Sequence, residues 1–445
     1  MKLPLFHWTR RIERAARAGL ILIGLGLLLF NFVRIIVRPI GDFHYHWQLG
    51  NDLLNGRSLY LGPGGRPPDY PNPYPPFWAM VHAPLTIFSA HLAQILVFLP
   101  LYLGSLGLLL WTLHRLTQPH LPLDRTREFW ATALAMLIAV QFLARDMAEC
   151  GVNIALVGLA WFAIYAWTRH RDWLGGASLG LAIALKMTAA LFVPYFLWKR
   201  QWKIAGAATL FAILFSLAPV IVRGPTLFTA DLREWATVVR GIGSQDPSLH
   251  VPGQESTRNF GLRPTLTRLI VNASGNRVDL YGTNLLALST HTTLVMVHVA
   301  ELCLVGVFAW SAGRSVGNRQ RLALVYECAG VSLLMLLLSP ITWGHHCVGT
   351  LPALYLIFRT AFYYRSLPSW MFVPLGYVVL ALAFNRAIVG KHGSALLSGY
   401  SVVTWEILAL LVLTLGCWRL SRSREQSDFF IRKEPGMSPA KRMSS

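Results

Sequence analysis

The chain has 445 residues, of which 54% are hydrophobic and only 13% are charged. Soluble domains carry about 25% charged residues, so this composition excludes a soluble globular protein and predicts an all-α, polytopic membrane protein. The net charge of +20 does not indicate nucleic-acid binding, because the Lys and Arg residues stand in short clusters between apolar runs, as topology signals do.

In chain order, the apolar runs predict about ten full transmembrane helices. Several runs reach the ~18–20 residues that a hydrocarbon core of about 30 Å requires, and the shorter runs need tilt or burial. The predicted helices cover about residues 19–37, 92–113, 128–144, 154–168, 204–222, 287–312, 322–338, 347–363, 369–385 and 402–418.

One further run, Trp173–Trp198, does not read as a simple span. Basic residues flank it on both sides, and Lys186 stands at its centre. A charge at the bilayer midplane costs at least ~2.5–3.5 kcal/mol and is usually functional or paired. We therefore predict a broken element, in which two half-length helices meet near Lys186 and both open to the cytoplasmic side.

The distribution of Lys and Arg sets the expected orientation. The basic segment 10–17 places the N-terminus in the cytoplasm, and segments 38–90 and 223–285 become the large outer loops. We expect one integral membrane domain over residues 1–420 and a disordered, cytoplasmic tail over 421–445. The chain is then a multi-pass protein of the plasma (inner) membrane with both termini in the cytoplasm.

This orientation places three polar clusters on the outer face. They are Gly41–His46 after the first span, Pro252–Arg258 in the large outer loop, and Ser339–His346 between two spans. Together with Lys186 they supply a carboxylate, imidazoles, an amide and a cation. We expect these groups to line one cavity at the membrane surface.

Each candidate residue has a chemical and a structural interpretation. Asp42 can act as a general base on an attacking sugar hydroxyl, or it can cap a helix. His345 and His346 can donate to phosphate oxygens or form ordinary interfacial hydrogen bonds. Lys186 can contact a phosphate, or its head can snorkel to the interface. Tyr74, in a stiff Pro-rich segment, can stack on a sugar ring or sit at the interface.

No cofactor or metal is expected. The five cysteines are scattered without a C-x-x-C pair, and no dedicated cluster of metal ligands stands out. No glycine-rich nucleotide loop is visible, so the pattern does not indicate a soluble nucleotide-sugar donor.

At the polar clusters the sequence resembles glycosyltransferase family 87, from about Asp42 to about Pro352. Each matching motif is short, but five of them occur in the same order on one predicted face. The motifs are Asp42–Phe43 with Leu53–Leu54, Gly56, Tyr60 and Tyr74–Pro75–Pro76; Gly151 and Asn153; Leu179–Ala182 through Ala184–Lys186 with Lys199 and Arg200; Gln254 and Ser256; and Ser339–Pro340, Trp343 and His345–His346.

The resemblance implies a GT-C fold and an inverting sugar transfer at the outer face. The donor is a polyprenyl-phosphate-linked sugar, mannose- or pentose-like, and the acceptor is a lipid or glycan. Asp42 matches the family's general base. His345 and His346 match the family's histidine pair, and Lys186 matches its intramembrane lysine. We expect these three residues to contact the donor phosphate, because they are cationic or hydrogen-bond-donating groups. The substrate pocket is assigned to Tyr74, Asn153, Gln254, Ser256 and Arg258.

Two other classes remain open at this point. A transporter or a flippase for lipid-linked sugars also uses many spans and an intramembrane lysine, but it needs a path through the bilayer rather than polar groups at one face. A glycan polymerase or ligase relies on outer-loop arginines and a histidine and does not need Asp42.

Overall fold

The computed structural model describes residues 10–37, 41–61, 72–242, 258–271, 285–314, 316–365, 367–384 and 386–433. Within these ranges the regular secondary structure is helical and contains no β-strand; one isolated bridge pairs Val271 with Leu288. The predicted all-α class is confirmed.

In the described ranges we number the α-helices from α1 to α18. Short 3₁₀ turns and one π-helical turn join some of them. The α-helices are α1 (Arg10–Val37), α2 (Phe43–Leu54), α3 (Pro76–His82), α4 (Ala90–Ala93), α5 (Leu99–Thr117), α6 (Arg125–Ala148), α7 (Asn153–Thr168), α8 (Asp172–Leu185), α9 (Phe192–Trp198), α10 (Trp202–Leu217), α11 (Val220–Ile242), α12 (Leu262–Ile270), α13 (Thr290–Ala312), α14 (Leu322–Leu338), α15 (Leu351–Tyr364), α16 (Phe372–Ala381), α17 (Arg386–Gly399) and α18 (Val402–Lys433).

Among the described residues, five helices are long and apolar enough to cross a membrane alone, and six spans result if the bent pair α10 and α11 counts as one. The protein is therefore polytopic, but it has fewer full-length spans than the ten we expected. The difference lies in short apolar helices. For example, α14 has 17 residues and rises about 26 Å. The five long spans are Arg11–Val37, Ala90–Thr117, Arg125–Ala148, Thr290–Ala312 and Val402–Ser423.

The break predicted at Lys186 is confirmed. Helix α8 ends at Leu185, and Lys186 has an extended backbone (φ −157°, ψ 122°). A 3₁₀ turn, Met187–Leu191, then leads into α9. Because the extended residue interrupts the helix, the Lys186 side chain leaves the chain at a break rather than from a helix face.

Glycines let α8 pack directly on α10. A Cβ on Gly176 would come within 2.9 Å of the Ala207 carbonyl carbon, and a Cβ on Gly180 within 2.7 Å of the Ala212 nitrogen. Small residues permit such close approach between membrane helices. This contact fixes the position of α8, whose last residue directly precedes Lys186.

The run predicted as a span over 204–222 is bent. An 86° bend separates α10 from α11, and α11 occupies the first part of the segment that we predicted as an outer loop. Within α11, Arg223 donates two hydrogen bonds to Asp231, at 2.7 and 2.8 Å. Trp235 donates to the Pro73 carbonyl at 3.1 Å, so α11 is attached to the segment directly before α3.

At the C-terminus, α18 continues to Lys433. The helix therefore extends past residue 421, where we predicted a disordered tail to begin. Residues 434–445 lie outside the described part of the chain.

Candidate active site

Asp42 lies directly before α2, where the backbone packs on the turn between α6 and α7. Its backbone N–H donates to the Glu149 carbonyl at 2.9 Å. The preceding Gly41 has a φ of +62°, and a Cβ there would come within 2.7 Å of the Glu149 Cα, so this approach requires glycine. Asp42 occupies the N-cap position of α2, but its side chain makes no capping hydrogen bond. The exposed carboxylate is therefore available for other chemistry.

The surroundings of Asp42 raise the pKa of its carboxyl above the ordinary value of 3.8. Although solvent reaches the side chain, the surrounding protein removes part of its hydration, which is the largest cause, and the negative charge of Glu149 adds to it. The positive charge of Lys186 acts in the opposite direction. A carboxylate with a raised pKa is a stronger base than an ordinary aspartate.

Lys186 is the centre of a polar cluster. Its ammonium donates to the Asn153 side-chain oxygen at 3.0 Å and contacts His346 Nε2 at 2.9 Å. It also lies 5.6 Å from the centre of the Tyr74 ring, within the range of a cation–π contact. Three of the residues predicted for the site, from three separate segments, thus surround the predicted lysine.

Asp146 is a site residue that the sequence analysis missed. It is fully buried near the C-terminus of α6, and it accepts a hydrogen bond from Asn153 Nδ2 at 2.8 Å. The Ile154 backbone N–H donates to it at 3.2 Å. One signal was present in the sequence: an aspartate at the end of an apolar run is unusual enough to suggest a function.

The two adjacent histidines differ in their contacts. His346 Nε2 faces the Lys186 ammonium, which only donates, so Nε2 accepts and Nδ1 of the neutral ring carries the proton. Nδ1 lies 3.2 Å from both the Ile341 carbonyl and the Trp343 backbone nitrogen. His345 is buried, and neither of its ring nitrogens has a hydrogen-bond partner among the described residues. Burial, with the charges of Lys186 and Arg145, lowers the pKa of His345 to about 3. His345 is therefore a neutral imidazole with one N–H to donate.

Asn259, next to Arg258, is bound to the third polar cluster, Ser339–His346. Its side-chain oxygen accepts from the Thr342 N–H at 2.8 Å, and its amide donates to the Pro340 carbonyl at 2.9 Å. Arg258, the neighbouring residue, is thereby held beside the turn that carries the two histidines. Sequence analysis did not identify Asn259. Gln254 and Ser256 lie outside the described residues.

Tyr74 belongs to an aromatic wall. Its ring stacks on Trp78 at 4.4 Å between ring centres, and His46 meets both rings edge-on. Trp78 Nε1 donates to His46 Nδ1 at 3.1 Å. The wall holds the Tyr74 ring rigidly beside Lys186.

A cavity adjoins the cluster, because Asn153 and His346 are among its lining residues. Four further lining residues are polar: Thr188, Ser332, Ser339 and Thr342. The other lining residues are apolar: Leu156, Val157, Ala160, Trp161, Ala189, Phe192, Met335, Leu336 and Gly349. Apolar cavities favour apolar ligands over water.

Among the described residues there is no group of three or more His, Cys, Asp or Glu side chains that could hold a metal ion. The polar groups of the cluster are instead a lysine, neutral imidazoles, an amide and carboxylates.

The helical fold with its apolar spans defines a polytopic membrane protein that gathers polar groups from several segments around one lysine. The chain belongs to glycosyltransferase family 87, whose sequence model matches residues 72–340. It is therefore a membrane glycosyltransferase, as the resemblance in the sequence implied.

Several characterised relatives are similar over most of their length. A polyprenol-phosphate-mannose-dependent alpha-(1-2)-phosphatidylinositol mannoside mannosyltransferase of Mycolicibacterium smegmatis is 27% identical over 93% of this chain and 90% of its own. The enzyme of the same description from Mycobacterium tuberculosis is 27% identical over 83% of this chain and 82% of its own. A polyprenol-phosphate-mannose-dependent alpha-(1-2)-phosphatidylinositol pentamannoside mannosyltransferase of M. smegmatis is 27% identical over 77% and 75%.

Proposed function

We propose that the protein transfers a mannosyl residue from a polyprenyl-phosphate-mannose donor to a lipid or glycan acceptor. The observation that carries this proposal is the cluster of Lys186, Asn153 and His346, close enough to the exposed Asp42 for the lysine charge to act on its pKa. The relatives' names specify the same donor, which favours mannose over the pentose that the sequence also allowed.

In the proposed reaction, Asp42 takes the proton from an acceptor hydroxyl. The hydroxyl oxygen attacks C1 of the sugar, and the bond from C1 to the phosphate oxygen breaks with its electron pair going to the phosphate. Attack from the face opposite the leaving group inverts the configuration at C1. Asp42 and the phosphate site must then lie on opposite sides of the sugar.

The leaving phosphate gains one negative charge in this step. Lys186 supplies a positive charge, and His345 supplies a neutral N–H donor. Fixed donors aimed at developing charge are the largest source of rate enhancement in many enzymes. The apolar cavity next to Asn153 and His346 is suited to the part of the donor lipid that follows the phosphate.

For the acceptor, the names of the relatives support a mannosylated phospholipid. Tyr74 and Arg258, with Gln254 and Ser256 of the outer loop, are proposed to shape the pocket for the sugars. Orientation belongs to the same proposal: the site faces outward from the plasma (inner) membrane, and both termini are cytoplasmic.

The test is the transfer of radiolabelled mannose from polyprenyl-phosphate-mannose in membranes that carry the wild-type protein or Asp42→Asn. The substitution keeps the shape but removes the base, so we expect kcat to fall by about 10²–10⁴-fold. Asp124→Asn is the matched control, because Asp124 caps α6 through the Arg127 N–H and asparagine caps as well as aspartate.

Full activity of Asp42→Asn would overturn the assignment of the base. No transfer from any polyprenyl-phosphate sugar, together with movement of such a lipid across vesicles, would favour a flippase instead.

A further inference from the structure

Asp146, Asn153, Lys186 and His346 form a continuous chain of hydrogen bonds. Asp146 accepts from the Asn153 amide at 2.8 Å, the Asn153 oxygen accepts from Lys186 at 3.0 Å, and Lys186 contacts His346 Nε2 at 2.9 Å. These residues come from α6, α7, the α8–α9 break and the turn before α15. These hydrogen bonds therefore connect four separate segments of the polypeptide around the Lys186 ammonium group.

The direction of these hydrogen bonds follows from both ends. Asn153 Nδ2 and the Ile154 N–H each donate to one oxygen of Asp146, so both oxygens act as acceptors, and the Lys186 ammonium at the other end only donates. The Asn153 amide therefore turns its NH₂ group toward Asp146. Its oxygen then faces Lys186. Reversal of the amide would point its NH₂ at the ammonium and remove the acceptor.

We propose that Asp146 is a positioning residue for the donor phosphate: it fixes the orientation of the Asn153 amide, and that amide holds Lys186 in place. This inference rests on the proposed function. An ammonium has three N–H donors. Asn153 and His346 take two, which leaves the third for a phosphate oxygen. Asp146 is fully buried and acts on the donor only through Asn153.

Gly151 supports this reading. A Cβ at this position would come within 2.8 Å of Asn153 Nδ2, and closer still to Asp146 Oδ1. The turn between α6 and α7 thus has space for the Asp146–Asn153 contact only with glycine. Glycine at position 151 thus leaves room for the contact between the Asp146 carboxyl group and the Asn153 amide.

The test compares Michaelis constants for donor and acceptor in wild-type protein and in Asp146→Asn. An asparagine at 146 can donate as well as accept, so the Asn153 amide loses its fixed orientation. A hydrogen bond to a charged group contributes about 1.5–3 kcal/mol, so we expect the donor KM to rise by roughly 10- to 100-fold. The acceptor KM should stay unchanged. Asp124→Asn is the matched control and should alter neither constant.

A double-variant cycle separates positioning from general damage. If Asp146 acts through Asn153, Asp146→Asn should have little further effect in an Asn153→Ala background. An equal effect in both backgrounds would contradict the proposal, as would a fall in kcat with both KM values unchanged.

If Asp146→Asn does not fold, Gly151→Ala carries the test, since its methyl group displaces the Asp146 carboxyl group without removing it. It should raise the donor KM selectively; equal rises for donor and acceptor would overturn the inference. A wild-type protein that transfers no mannose would contradict the proposed function. A wild-type protein that does so, beside variants with an unchanged donor KM, would contradict only the role of Asp146.

Discussion

The two aspartates nearest to Lys186 have opposite surroundings. Asp42 is exposed, and its side chain has no hydrogen-bond partner in the described part of the chain. Asp146 is fully buried and accepts two hydrogen bonds. A base must reach its substrate, whereas a positioning group must be fixed. The two carboxylates therefore suit two different tasks around the same lysine.

The raised pKa of Asp42 predicts a pH dependence. A base works in its ionised form, so activity should be lost as the pH falls through the pKa of Asp42, which lies above that of an ordinary aspartate. The Glu149 charge contributes to this rise. In Glu149→Gln the pKa of Asp42 should be lower, and the acidic limb of the profile should move to lower pH.

The measurement is kcat/KM for the acceptor across the acidic range, with Glu13→Gln as the control. Glu13 pairs with Arg17 in α1, and its neutralisation should leave the profile unchanged. An acidic limb that stays at the same pH in Glu149→Gln would contradict the electrostatic argument.

At the residue scale, the sequence pointed to Asp42 and the histidine pair beside apolar runs and to Lys186 in the middle of one, because charged and polar residues are conspicuous there. It did not predict Asp146 or Asn259. Their roles depend on which turn docks on which, and that depends on tertiary contacts such as the hydrogen bond from the Asp42 N–H to Glu149. A local pattern holds no information about such contacts.

At the element scale, the close packing of α8 on α10 should control the position of Lys186. In Gly180→Ala the new methyl group would lie 2.7 Å from the Ala212 nitrogen, so the helices must separate. Overpacking of this kind costs about 1–3 kcal/mol. We expect a lower thermal stability in detergent and a reduced transfer rate, because Lys186 directly follows the last residue of α8.

Gly206→Ala is the matched control for this substitution. Gly206 lies on α10, and a Cβ there would meet nothing within 4 Å. Alanine also favours a helix more than glycine, so this variant should be as stable as the wild type or more stable. Equal unfolding temperatures for Gly180→Ala and Gly206→Ala would show that the close packing of α8 on α10 at Gly180 does not contribute to stability.

Hydropathy predicted most helices to within a few residues, because each apolar run is a local property of the chain. It also located the break at Lys186, since a charge in mid-run is a strong signal. It missed the 86° bend between α10 and α11, although Pro219 stands in the break between them. A run of apolar residues has the same hydropathy whether it is straight or bent.

At the scale of the whole molecule, the length of α14 shows which residues lie at the same end of the protein as the site and which lie at the opposite end. It begins after Gln320 and ends before the turn that carries His345 and His346. Its 17 residues separate those ends by about 26 Å. Gln320 therefore lies at the end opposite the site, whereas His44, next to Asp42, lies at the site end.

This separation allows the proposed orientation to be tested with two single cysteines. Of the five native cysteines, only Cys303 is exposed, so Cys303→Ala gives the background. In intact cells stripped of their outer layers, a membrane-impermeant maleimide should label His44→Cys, because the site faces outward. It should label Gln320→Cys only after the membrane is opened. Both positions are exposed, so a difference in labelling reports the side of the membrane. The reverse pattern would invert the topology and place the donor site in the cytoplasm.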